Sequence, residues 1–158
     1  MGSQVNKAGL LTMLFCFLMV QFGCKEEIPL VTTMNYLEAK SKWESMNLSN
    51  YQLTQRKECF CVNFGVVYRI RVENGSITSV VNLSTELPLN PPFQDFQTVE
   101  QLLSLCEWLE TQQAVARFEI AYDRNTGVPT RVFVDNSAFI ADDEYTYHSS
   151  LLQTSERK

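Results

Sequence analysis

Three cysteines, Cys59, Cys61 and Cys106, are the side chains of this 158-residue chain best placed for covalent chemistry. One disulfide among them leaves one free thiol, and all three pairings are open on sequence grounds. A bond between Cys59 and Cys61 closes a small ring across one residue and would be the more oxidising, redox-active choice. A bond from Cys106 to either would instead join a helix to a sheet and act as a staple. The structural use is expected, because buried thiols are generally inert.

Other reactive groups are sparse. His148 is the single histidine, so neither a histidine-rich metal site nor a Ser-His-Asp triad with a spare imidazole can be assembled, and it is expected on the surface. Asp142, Asp143 and Glu144, with Asp135 upstream, offer oxygen ligands of the kind calcium takes. A solvated acidic loop is the plainer expectation, with no metal and no cofactor. Asp123, Asn125 and Gly127 resemble the start of a calcium-binding loop, but the twelfth position holds Val134 where a bidentate glutamate is required. Asn47, Asn74 and Asn82 each stand two residues before a serine, a glycosylation pattern read here as chance. No phosphate-binding glycine loop, zinc pattern or nucleophile elbow occurs.

The elements that must position these groups read as follows. Tyr36, Ala39, Trp43 and Met46 recur at helical spacing, and Asn35 with Glu38 forms a capping box, which predicts a helix over about 34–47. Tyr51, Leu53, Cys59 and Cys61 alternate with polar residues, placing both cysteines on the core face of a strand. Val66 to Val72 predicts its partner, and Asn74-Gly75 a two-residue type I′ turn with Val72 opposite Ile77, Ile70 opposite Ser79 and Tyr68 opposite Val81. A proline-rich loop crosses to Thr98 and Gln101, a second capping box, which opens a helix over about 98–113 with Cys106 on its apolar stripe. Strands around Phe118 and Ile120, around Val132 and Val134, and a short last one with Tyr145 and Tyr147 follow. The expected architecture is α+β: an antiparallel sheet of about six strands with two helices on one face, in the order αβββ-αβββ. A shift of 65 residues superposes Trp43 on Trp108 and Tyr51 on Ala116, so the order reads as a possible duplication.

Residues 1–23 have the character of a signal peptide, with Lys7 ahead of a 13-residue apolar stretch from Ala8 to Val20. That stretch is too short for a membrane span of about 20 residues. Gly23-Cys24 resembles a bacterial lipobox, although Gln21 stands where leucine is usual. Lipidation is therefore expected at Cys24, with 24–32 as a tether, 33–149 as a single α+β domain and 150–158 as a polar tail. Two or three acyl chains on one cysteine, palmitate among them, anchor a protein stably where one does not. Beyond residue 23 the chain carries 12 basic against 18 acidic side chains. That balance disfavours nucleic acid and leaves the membrane contact to the lipid.

Several features in a shared order resemble a family of small exported bacterial domains of unassigned function. They are Trp43 before Tyr51, Cys59-Phe60-Cys61, Val72 with Asn74-Gly75, Tyr122-Asp123 followed by Gly127 and Pro129, and Asp142-Asp143-Glu144-Tyr145. The resemblance implies a fold and an envelope location but no catalytic residue. Lys25-Glu26-Glu27 is similar to the surface-export signal of Bacteroidota-type lipoproteins. An outer-membrane location is expected, periplasm-facing or surface-exposed. The expected role is a non-enzymatic binding or assembly module that engages an envelope protein; the alternative is a thiol-redox protein using Cys59 and Cys61.

Overall fold

The computed structural model describes residues 34–112 and 114–154. The expected leader, Cys24 and the tether lie outside the described residues. Helix α1 spans Tyr36–Ser45, strand β1 Asn50–Cys59, β2 Val67–Glu73, β3 Ser76–Asn82, helix α2 Val99–Gln112, β4 Arg117–Tyr122, β5 Pro129–Asp135 and β6 Tyr145–Thr154. Among these residues no helix is long and apolar enough to cross a membrane.

Both helices begin where their caps dictate. The Asn35 side chain accepts from the Glu38 N–H at 2.9 Å. At α2 the exchange is reciprocal: the Gln101 N–H donates to Thr98 Oγ1 at 3.2 Å, and the Thr98 N–H donates to Gln101 Oε1 at 2.8 Å. Orphan donors of the first turn are thereby satisfied.

All six strands form one antiparallel sheet in the order β3-β2-β1-β6-β5-β4. Its core face carries Tyr51, Leu53, Ile70, Val72, Val80, Val132, Val134 and Tyr147, all buried. The other face carries paired charges such as Arg56–Glu58 and Arg131–Glu119.

The expectation of two helices laid together on one face is corrected: the sheet and the chain order are as described, but the helices occupy different places. Helix α2 packs on β5 and buries Val99, Leu102, Leu103, Cys106 and Leu109. Helix α1 packs against α2, and at one end of the sheet its Trp43 meets the Tyr51 ring edge-on, centroids 5.0 Å apart. From there it also reaches the β4–β5 turn, where Lys42 Nζ donates to the Arg124 carbonyl at 2.8 Å. With only Tyr36, Ala39 and Trp43 buried, α1 has too little apolar stripe to cover strands as α2 does. The residues equated by a duplication diverge as well, since Trp43 is buried and Trp108 is 42% exposed.

Two local expectations also change. Asn74 and Gly75 adopt φ of 51° and 75°, and Val72 does face Ile77, as the turn demands. A bulge beyond that pair then shifts the register, so Ile70 faces Val80 and Arg71 faces Ser79. The extra residue turns Val80 inward, where it is fully buried. At the other extreme, β6 runs to Thr154, past the boundary expected at 149, and Leu151 packs against the core.

Candidate functional site

Cys59 at the end of β1 lies opposite Tyr145 at the start of β6. The β1–β2 loop and the β5–β6 loop therefore leave the sheet side by side. Gly65 and Asn63, at φ of 70° and 69°, turn the first loop back toward β2, and the Gly65 N–H donates to the Lys57 carbonyl at 3.0 Å.

Cys59 and Cys61 are joined by a disulfide, with Cα atoms 5.2 Å apart. The Cys61 N–H donates to the Cys59 carbonyl at 2.8 Å, so the chain turns tightly between them. Phe60, at the tip of that turn, is 86% exposed; Val62 is 87% exposed, and Phe64 is exposed as well. On the β5–β6 loop, Phe139 is 99% exposed and Ile140 is exposed too. Isolated surface apolar side chains need no explanation, but Phe60, Val62 and Phe64 line one cleft, an exposure of the kind that marks an interaction site.

Between the loops opens a cleft of about 870 Å³, whose lining includes the apolar Phe60, Val62, Phe64 and Tyr145 and the acidic Glu58, Asp142 and Glu144. The disulfide lies in its wall. Behind Tyr145, the Lys57 ammonium sits 5.5 Å from the centroid of that ring and 5.2 Å from that of Tyr147. The two rings meet edge-on at 5.7 Å. The second loop is held by Asn136 Nδ2 donating to the Asp143 carbonyl at 2.7 Å.

The sequence-derived candidates scatter around this cleft. Cys59 and Cys61 are not enclosed in the core: Cys59 is half-buried at the sheet's end, in step with Tyr51 and Leu53, and Cys61 lies beyond the strand, exposed. The helix-to-sheet bond is not formed, because Cys106 is fully buried under α2 as a free thiol. Burial pushes that thiol up to about 12, with the Glu110 charge adding to the rise and the Tyr122 hydroxyl opposing it. A thiol so held is protonated and unreactive at neutral pH. His148 lies half-exposed on the outer face of β6, with Nε2 3.2 Å from Glu58 Oε2. Asp142 and Glu144 reach the cleft, whereas Asp135 closes β5, and its carbonyl accepts from the Ala116 N–H at 2.9 Å. Among the described residues no three His, Cys, Asp or Glu side chains converge to hold a metal.

The remaining motifs are turns. Asp123 Oδ1 accepts from the Asn125 and Thr126 N–H groups and from Thr126 Oγ1, which holds its carboxyl below the usual range. Asn47 and Asn74 adopt left-handed φ, and the Asn82 side chain accepts from the Ser84 N–H at 2.8 Å.

Three features were not anticipated from sequence. Glu100 joins Tyr51 and Trp43: Tyr51 Oη donates to its Oε2 at 2.6 Å, and Trp43 Nε1 donates to its Oε1 at 3.1 Å. The same hydroxyl accepts from the Val99 N–H at 3.0 Å, at the first turn of α2. Buried Gln55 clamps the loop before α2 by exchanging hydrogen bonds with the Gln97 backbone at 3.0 and 3.1 Å. The third is the exposed apolar patch, whose signal was large apolar residues inside turn segments with no helical or strand period.

No curated protein and no solved structure matches the chain. A family model does match, over residues 35–154, from the cap of α1 to the end of β6. The chain belongs to the family of unknown function DUF6174.

Proposed function

We propose that this protein is an exported envelope lipoprotein, anchored through lipid on Cys24, whose domain is a non-enzymatic binding module that engages an envelope protein with the paired loops. The leader and the Gly23-Cys24 lipobox support the anchor. The single observation that carries the binding role is the cleft of about 870 Å³ flanked by Phe60, Val62 and Phe64, a size within the range of ligand sites. Holding large apolar groups in water costs free energy that a partner recovers on docking.

A photo-crosslinking residue placed at Phe139 of the full chain in cells tests the role. Capture of one envelope protein, absent when the crosslinker replaces Leu37 on α1, is the expected result. Equal labelling from both positions would remove the module reading.

The bond between Cys59 and Cys61 favours a second reading, thiol-redox chemistry, because the bond lies in the cleft wall with Cys61 exposed. Equilibration with a glutathione redox buffer, followed by alkylation and mass spectrometry, separates the two. Reduction by the envelope-range buffer supports redox use; a bond that stays closed well below that range is a brace for the loop.

A further inference from the structure

The charges around the cleft restrict what can fill it. Glu58 is already engaged, 2.9 Å from Arg56 and 3.2 Å from His148. Asp142 and Glu144 have no basic partner among the described residues, and both face the same opening as Phe60, Val62 and Phe64. The lining therefore combines uncovered apolar side chains with carboxylates that have no basic partner among the described residues.

That pairing discriminates among occupants. An anionic lipid surface would bring headgroup charge against the free carboxylates. A second copy docking on the same patch would set acid against acid, since a two-fold interface repeats the same surface on both sides. A polypeptide that supplies an aliphatic or aromatic side chain to the apolar residues and a cation to the carboxylates satisfies both. Tyr145, which lines the cleft, adds an aromatic ring of the kind that attracts a cation.

We infer that the cleft binds an extended polypeptide segment in which a large apolar side chain stands next to a lysine or arginine. This rests on the binding-module reading and names the class of segment that module takes. The Cys59–Cys61 bridge keeps Phe60 outside the fold, and Asp142 and Glu144 select the basic residue.

The test uses the full chain in nanodiscs of neutral lipid and fluorescent peptides of sequence Gly-Ser-Phe-Lys-Phe-Gly-Ser and Gly-Ser-Phe-Glu-Phe-Gly-Ser, read by polarisation. The lysine peptide is expected to bind about tenfold more tightly, as two rim charges each contribute modestly. In the D142N/E144Q protein the two peptides should bind alike, and in the parent protein salt should close the gap between them. Asparagine suits position 142, whose φ of 65° is one that residue adopts readily. Equal affinities in the parent protein, a preference that survives in the variant, or no binding of either peptide overturns the inference. Binding to phosphatidylglycerol vesicles in place of peptide, or a dimer in sedimentation that Phe60→Ser abolishes, overturns it too. Crosslinking from Phe139 separates this failure from that of the module itself: a captured envelope protein whose joined segment lacks Lys and Arg overturns the inference alone, and no capture overturns both.

Discussion

The two ends of the sheet solve opposite problems. At the end where β1 begins, Trp43, Tyr51, Glu100 and the Val99 N–H tie α1, β1 and α2 into one set of hydrogen bonds and ring contacts. At the end where β1 finishes, large apolar side chains stand in solvent on two loops, one of them closed by a disulfide. The first end has the character of a core and carries stability; the second gives up hydrophobic burial and is available for recognition. Substitutions at the two ends should therefore part company, with melting affected at one and binding at the other.

Trp43→Ala should show the largest effect, about 4 kcal/mol of lost stability in urea denaturation, because it removes both a buried ring and the hydrogen bond to Glu100. A cost below about 1 kcal/mol would mean that the closed end is not the stabilising one. Gly127→Ala should follow at about 3 kcal/mol. Its φ is 76°, and an added Cβ would run into the Ala39 carbonyl, forcing α1 off the β4–β5 turn. Tyr51→Phe should cost about 2 kcal/mol, since the Val99 N–H loses its acceptor in a buried place.

Acid should act next, and at the same end. The hydrogen bonds from Thr126 lower the Asp123 carboxyl in the folded state. Its contribution is thus present above the unfolded value near pH 4 and fades as pH falls through the folded value. Asp123→Asn should flatten the melting temperature's dependence on pH in that acid window. The smallest effect on stability, within about 0.5 kcal/mol, belongs to Phe139→Ser, with thermal melting as the check. A large loss there would show that the patch is structural and erase the contrast between the ends.

Much of this frame is legible in the sequence. The reciprocal cap at Thr98 and Gln101, the Asn74-Gly75 turn and the alternation in β1, β2 and β5 are local signals that depend on a few consecutive residues. The failures are non-local. No local pattern reveals that a bulge at Thr78, between the Val72–Ile77 and Arg71–Ser79 pairs, turns Val80 inward, or that β1 pairs with β6 as well as β2. Alternation puts Cys59 in step with Tyr51 and Leu53, but it is the last residue of its strand and is half-buried rather than enclosed. The partner of Cys59 was likewise a question of distance in three dimensions. Phe60 and Phe139 were invisible as a site because loop apolar residues carry no period, and only the adjacency of β1 and β6 brings their loops together.

The place of β6 in the middle of the sheet also governs the order in which the fold can be completed. It pairs with β1, some 90 residues earlier in the chain, and joins the β1–β3 and β4–β5 groups into one sheet. Until Tyr145 to Thr154 are available, each group has an extra unpaired strand edge facing water. A nascent or truncated chain ending before Tyr145 would thus hold two incomplete sheets with sticky edges, a substrate for chaperones rather than a smaller version of the domain.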